Sequence, residues 1–99
     1  MLKHKDVHIH PGEILLEDVI KPAELTISRA ADLLKITRLT LSKIVNKRGG
    51  ITPNIALRLE AVFGGTADFW LQLQRIYDLE EARRSFDKNE LHLNKFNYD

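Results

Sequence analysis

The stretch from residue 27 to residue 48 constrains the fold more than any other part of the chain, because it predicts two short helices joined by a tight corner. Apolar side chains recur on one face of each segment: Ala30, Ala31 and Leu34 in the first, and Leu41, Ile44 and Val45 in the second. The second set follows the spacing that buries one side of a helix. Residues 35–37 form the corner, and Thr37 is a suitable N-cap for the helix that follows.

The charge distribution indicates what the second helix contacts. Residues 35–48 hold five basic residues and no acidic one, although the net charge of the whole chain is only +1 and its pI is about 8.1. Like charges gathered on one helix attract phosphate even when the chain as a whole is nearly neutral. The alternative interpretation is a solvated polar face. We favour a helix-turn-helix whose second helix binds DNA.

Ten side chains are candidates for DNA contact. Rotation by about 100° per residue puts one row on the exposed side of the second helix, and its first turn can enter a major groove. Arg38 or Lys43 could bridge guanine O6 and N7, and the apolar Leu39 could meet a thymine methyl group. Thr40 lies in that first turn with Arg38, and Ser42 and Asn46 share the exposed row with Leu39 and Lys43. The remaining four are expected at the phosphates, where they would fix the register: Thr26, Ser28, Lys47 and Arg48.

The rest of the chain predicts an all-α fold of five helices with a long C-terminal helix. The first helix is expected to begin at His10-Pro11-Gly12-Glu13 and to end at Lys21-Pro22, and the second begins after Thr26 and ends near Leu34. The third runs from Arg38 to about Lys47. The fourth lies between Thr52-Pro53 and Gly64-Gly65, and the fifth runs from Thr66 to about Phe86. We therefore expect a lead-in at residues 1–9, one domain at 10–86 and a tail at 87–99.

The predicted fifth helix is too apolar for a single buried stripe. Phe69, Leu73, Ile76 and Tyr77 are expected to cover one side, with Leu71 and Leu79 elsewhere and Trp70 at the edge. The excess favours a subunit or partner contact. The alternative is that the tail folds back over this helix.

Composition argues against several other functions. The chain has no cysteine, so thiol metal sites and thiol nucleophiles do not arise, and a cytoplasmic location is consistent with this. No apolar run reaches the roughly 20 residues of a membrane span, and no signal peptide is apparent. His4, His8 and His10 lack the helical spacing of a metal site. We expect no enzyme activity, no cofactor and no small-molecule substrate.

Three segments in order resemble the HigA-type antitoxins of bacterial toxin–antitoxin modules, members of the lambda-repressor-like helix-turn-helix class. They are HPGE at 10–13, the helix-turn-helix at 27–48 and the segment from 51 to 82 containing FWLQLQ and YDL. The resemblance implies a compact five-helix homodimer that binds a palindromic operator in its own promoter. It also implies a partner, a HigB-type messenger-cleaving ribonuclease of RelE-like fold.

Carried over by position, the resemblance puts Arg38, Leu39, Thr40 and Lys43 at the bases, with Asn46 and Lys47 near the backbone. It puts the dimer contact in the fifth helix, for which we select Phe69, Trp70, Leu73, Ile76 and Tyr77. Lys35 departs from the glycine common at this corner and would need a left-handed backbone or a different turn. Two other hypotheses stay open, a repressor without a toxin and a protein-interaction module that has lost DNA binding.

Overall fold

The computed structural model describes residues 8–98, and within them it contains five helices and no strand. The helices are α1 (Pro11–Ile14), which continues directly into a π-helical segment (Leu15–Ile20), α2 (Ile27–Leu34), α3 (Arg38–Val45), α4 (Pro53–Phe63) and α5 (Ala67–Ser85). The all-α, five-helix prediction is confirmed. No sequence pattern predicted the π-helical segment. Most of the predicted lead-in, residues 1–7, lies outside the described residues.

A side chain caps the start of each α-helix. The hydroxyl oxygens of Thr26, Thr37, Thr52 and Thr66 accept a hydrogen bond from the backbone N–H three residues later, at 3.0–3.3 Å. These four predicted caps are confirmed. His10 caps α1 differently, because its Nδ1 accepts from the N–H of Gly12 at 2.9 Å. Each cap satisfies a donor that a helix leaves unpaired at its N-terminus.

The core lies where α1 to α5 converge. Its fully buried large side chains are Leu15, Ile20, Leu34, Leu41, Ile44 and Leu59. The backbone of α1 passes very close to that of α3, since a Cβ built on Gly12 would lie 1.8 Å from the carbonyl oxygen of Ile44. Only a residue without a Cβ fits there. The HPGE motif therefore sets how closely α1 approaches the helix that carries the basic row.

His10 is a buried titratable group at this contact. Its side chain is 3% exposed, and the edge of its ring meets Tyr77 with 4.7 Å between ring centroids. Burial lowers the pKa of His10, against the opposing influence of the Glu13 and Asp78 carboxylates. A protonated imidazole would also lose the Nδ1 lone pair that accepts from Gly12. The fold therefore selects the neutral ring.

We expect the free energy of unfolding to fall as pH drops below about 6.5, because the unfolded chain then binds a proton that the folded His10 resists. The stabilisation that comes from keeping His10 neutral is complete above the pKa that His10 has in the unfolded chain. It is lost as pH falls toward the lower pKa that His10 has in the folded protein. Urea unfolding at pH 7.5 and 5.5 measures it. His10→Asn keeps a capping acceptor without titrating and should lose less stability over the same interval. Equal losses in both proteins would assign the pH dependence to other groups.

Helix α5 presents two different apolar faces. Trp70 is 4% exposed and belongs to the core, so placing it at the edge was wrong. Phe69 and Ile76, assigned by sequence to one side with Leu73 and Tyr77, are each 47% exposed, whereas Leu73 and Tyr77 are half-buried. The reason is the rotation of α5, which packs on α4 and α1 with Trp70 in the core and Leu73 against it. Packing between helices decided this, not the periodicity of α5 itself.

Residues 86–98, called here the C-terminal arm, do not cover α5. All of them are exposed, as are Phe69, Ile76 and Leu79 on the helix. The alternative in which the tail folds back over its own helix is therefore not seen in the described residues. Among those residues, no helix has the length and hydropathy needed to cross a membrane.

Candidate nucleic-acid interface

The corner between α2 and α3 has a left-handed residue at its centre. Lys35 has φ 58° and ψ 39°, so of the two alternatives left open by the sequence the structure has the left-handed backbone. The N–H of Ile36 donates to the carbonyl of Ala31 at 3.1 Å, which closes the end of α2. A lysine in this conformation costs roughly 1 kcal/mol or more relative to glycine. Other contacts must therefore hold the corner in place.

Arg58 on α4 supplies those contacts. One of its terminal nitrogens, Nη1, donates to the carbonyl of Leu34 at 2.9 Å and to that of Lys35 at 3.0 Å, while Nε donates to Asn54 at 2.7 Å. The guanidinium thus satisfies two carbonyls that α2 leaves unpaired at its C-terminus. Sequence reasoning missed this residue. Its only local signal was an arginine four residues after Asn54.

We expect Arg58→Ala to lower the free energy of unfolding by about 1–3 kcal/mol, because it leaves these two carbonyls without their charged donor. Chemical denaturation measures the change. Arg75→Ala removes an exposed arginine from α5 and should stay within about 0.5 kcal/mol of the wild type. If the two variants were equally stable, the Arg58 contacts would contribute nothing to the corner.

Helix α3 has one buried face and, opposite to it, a row of exposed or half-buried side chains. Leu41, Ile44 and Val45 are buried, as predicted, and Thr37 accepts from the N–H of Thr40 at the start of the helix. The opposite face carries the predicted base-contact set. Arg38, Leu39 and Lys43 are exposed, Leu39 by 63%, and Thr40 and Ser42 are half-buried beside them. The arrangement puts two cations and one apolar side chain on a single exposed surface.

The predicted phosphate contacts lie on either side of this row. Thr26 and Ser28 are exposed at the start of α2. Asn46, Lys47 and Arg48 follow α3 in a loop, because the helix ends at Val45 and not near Lys47 as predicted. The physical reason is a left-handed turn, with Lys47 at φ 65° and the N–H groups of Arg48 and Gly49 both donating to the carbonyl of Lys43.

Two of these residues already have partners within the protein. Lys47 Nζ lies 2.6 Å from Glu13 Oε1, and this hydrogen bond raises the pKa of Lys47. The Asn46 amide donates to the carbonyl of Ser42 at 2.8 Å. The ion pair ties the loop after α3 to the HPGE motif of α1. Arg38, Lys43 and Arg48 have no such partner within residues 8–98.

The N-terminal histidines form no metal site in the described chain. His8 stacks on Tyr77 with 4.5 Å between centroids and hydrogen-bonds Glu81, whose pKa this contact lowers. His10 caps α1, and His4 lies outside the described residues. No group of three metal-ligating side chains occurs among residues 8–98.

A corner of three residues between two eight-residue helices, with exposed cations on the second, defines a helix-turn-helix DNA-binding protein. The helix-turn-helix family model matches residues 16–70. The antitoxin HigA-1 of Vibrio cholerae is 31% identical over 88 residues, covering 89% of this chain and 83% of that protein. The chain belongs to the HigA-type antitoxin family of helix-turn-helix proteins, and like that family it is not an enzyme.

Two further proteins are similar to this chain over most of its length. Virulence-associated protein I of Dichelobacter nodosus is 41% identical over 85 residues, covering 86% of this chain and 77% of that protein. The structure of the Pseudomonas aeruginosa antitoxin HigA with the higBA promoter superposes with a TM-score of 0.83 at 32% identity, covering 90% of this chain and 97% of that one.

Proposed function

We propose that this protein is a cytoplasmic antitoxin that binds operator DNA as a homodimer, represses its own operon and neutralises a HigB-type ribonuclease. The observation that carries the DNA part is the exposed row on α3, where Arg38 and Lys43 flank Leu39 without any carboxylate in residues 35–48. The predicted DNA-contact residues stand as part of this proposal. We take residues 10–86 as the unit that folds.

An exposed stripe on α5 supports the homodimer. Phe69, Gln72, Ile76, Leu79 and Arg83, called here the α5 seam, follow the alternating spacing of three and four residues that joins helices in coiled coils. The three apolar members are each 47% exposed. Two of the dimer residues chosen by sequence, Phe69 and Ile76, lie on this seam, and Leu73 lies beside it. The other two, Trp70 and Tyr77, lie on the inner face of α5 and support the seam from there. A two-fold axis at the seam buries the same patch on both copies.

The dimer sets the form of the operator. Two copies of α3 related by a dyad would enter successive major grooves about 34 Å apart, so the operator should be palindromic. If each copy neutralises three or four phosphates, the slope of log K against log salt should be roughly −5 to −7. Repression then follows from occupation of the promoter.

Titration of the protein onto the DNA upstream of its own reading frame tests the DNA part. Fluorescence anisotropy at about 50 and 200 mM salt, with scrambled DNA as the control, should show tight binding to the upstream DNA only and a steep loss with salt. Absence of binding at both salt concentrations would exclude a repressor and favour the protein-interaction module.

The seam has its own test. We expect Ile76→Asp to make the protein monomeric and to weaken operator binding by at least about 100-fold, since it buries an unpaired carboxylate at the dyad. Ser85→Asp adds the same charge at the exposed end of α5 and should leave the dimer intact. Sedimentation equilibrium measures both variants. A dimeric Ile76→Asp protein would show that the copies associate elsewhere.

The toxin part rests on the family alone, because no described residue identifies a toxin-binding surface. We expect the reading frame next to this one to encode a small basic protein whose expression arrests growth, and co-expression of this chain should restore growth. If no neighbouring product is toxic, the protein is a repressor of the same fold without a toxin.

A further inference from the structure

We propose that Glu13 competes with DNA phosphate for the side chain of Lys47 and thereby lowers the affinity of this protein for any DNA. The inference rests on the proposed function, in which Lys47 lies near the DNA backbone. It adds a residue of α1 to those that set DNA affinity, although Glu13 itself need not touch DNA. Glu13 acts through Lys47, whose charge it neutralises in the free protein.

The counter-charge of Lys47 comes from a different helix. Residues 35–48 hold five cations and no carboxylate, so this segment contains no partner for its own charges. Glu13 Oε1 on α1 lies 2.6 Å from Lys47 Nζ. The other four cations of the segment form no ion pair among residues 8–98: Lys35, Arg38, Lys43 and Arg48. Within the described residues, the protein therefore neutralises Lys47 and leaves the other cations of this segment available.

Two contacts with one residue of α3 hold the ion pair in place. Gly12, the residue before Glu13, approaches Ile44 so closely that an added Cβ would lie 1.8 Å from the Ile44 carbonyl oxygen. The N–H of Lys47 donates to that same oxygen at 3.1 Å, and the backbone of Lys47 is left-handed there, with φ 65°. Because the backbones of both partners are fixed against Ile44, the fold itself brings the two charges together.

The pair is exposed enough for a phosphate to exchange with the carboxylate. The Lys47 side chain is 55% exposed and that of Glu13 is 37% exposed. Ion pairs in contact with water stabilise a protein only weakly, and DNA presents a dense row of negative charge. When Lys47 moves to a phosphate, it exchanges one anionic partner for another, and Glu13 keeps an unpaired negative charge beside the DNA. The attraction gained from Lys47 is therefore smaller than that from an unpaired cation such as Arg48.

Glu13→Gln tests this competition, because the amide has nearly the shape of the carboxylate and no charge. We expect the variant to bind both operator and scrambled DNA at least about 3-fold more tightly than the wild type at about 50 mM salt. The gain should shrink at about 200 mM salt, since ions screen the charges, whereas a purely structural effect would persist. Fluorescence anisotropy with the two DNAs measures these affinities.

Glu17→Gln is the matched control. Glu17 lies four residues after Glu13 and pairs with Lys21 at 2.8 Å in a similarly exposed contact. The substitution removes the same charge from an ion pair that contains no residue of the segment 35–48, so it should change either affinity by less than about 1.5-fold. Circular dichroism checks that both variants stay helical at the two salt concentrations.

A double-mutant cycle shows whether Glu13 acts through Lys47. In a Lys47→Ala background there is no ammonium to release, so Glu13→Gln should tighten binding by less than about 1.5-fold, as the control does. A gain as large as that in the wild-type background would mean that Glu13 repels phosphate directly, and it would overturn the competition for Lys47.

The other outcomes separate this inference from the proposed function. Equal affinity changes in Glu13→Gln and Glu17→Gln would overturn the competition and leave DNA binding by this protein in place. Weaker binding by Glu13→Gln would also overturn it, since Glu13 would then hold Lys47 in position for a phosphate. A wild-type protein that binds neither DNA would overturn the proposed function, and with it the role of Glu13.

Discussion

Gly12→Ala is expected to lower the free energy of unfolding by about 3 kcal/mol or more, at the upper end of what overpacking costs. The new Cβ would lie 1.8 Å from the carbonyl oxygen of Ile44 and 2.7 Å from its carbonyl carbon. Both are backbone atoms of α3, so no side chain can move aside. α1 and α3 would have to separate until the Cβ stands at least 3.0 Å from that oxygen.

The sign of this effect is opposite to helix propensity. Gly12 is the second residue of α1, where alanine would be favoured by up to about 1 kcal/mol in a helix without tertiary contacts. A loss of stability would therefore report the close approach of α1 to α3, together with a smaller contribution from His10 Nδ1 at 3.0 Å. Chemical denaturation followed by circular dichroism measures it.

Gly50→Ala is the matched control for this substitution. Its new Cβ would lie 3.3 Å from the end of the Gln74 side chain, which accepts from the N–H of Ile51 and donates to Asp78, so a shift of a few tenths of an ångström relieves the contact. We expect the free energy of unfolding of Gly50→Ala to change by less than about 1 kcal/mol.

The Gly12→Ala protein should also bind the operator more weakly, because Ile44 lies on the helix that carries Arg38 and Lys43. A Gly12→Ala protein as stable as the wild type would mean that the two helices are not packed this closely.

Arg38→Ala is expected to weaken operator binding by at least about 30-fold, because the dimer loses one bidentate guanine contact of about 1–3 kcal/mol from each half-site. Arg38 suits this role since it is exposed in the first turn of α3 and has no partner among the described residues. The loss on scrambled DNA should be much smaller, because only a charge is removed there. Anisotropy titrations with the two DNAs at one salt concentration measure the ratio.

Lys47→Ala provides the comparison. Lys47 lies outside α3 and is paired with Glu13, so we expect it to contribute only to the attraction of phosphates. Lys47→Ala should therefore weaken binding to operator and to scrambled DNA alike. Arg75→Ala on α5 should change neither affinity. If Arg38→Ala weakened binding to both DNAs equally, Arg38 would be a phosphate contact, and Lys43 and its neighbours would be the residues that contact the bases.

Much of the interface follows from local sequence. Thr26 and Thr37 cap the two helices of the motif because their hydroxyls satisfy nearby N–H groups, which is a contact within three residues. The spacing of Leu41, Ile44 and Val45 fixes which side of α3 is buried. Once that side is known, the exposed position of Arg38 and Lys43 follows from the helical repeat.

The sequence by itself thus determined the order and approximate bounds of the five helices, the four threonine caps and the row of side chains that α3 presents, because these depend on periodicity and on bonds between near neighbours. Tertiary structure decided the rest, through contacts between residues far apart in the chain: Gly12 against Ile44, Arg58 on the corner at Lys35, and Glu13 on Lys47. It also decided the rotation of α5, which buried Trp70 and left Phe69 and Ile76 exposed. No local pattern encodes such pairings, since each depends on where two separate helices meet.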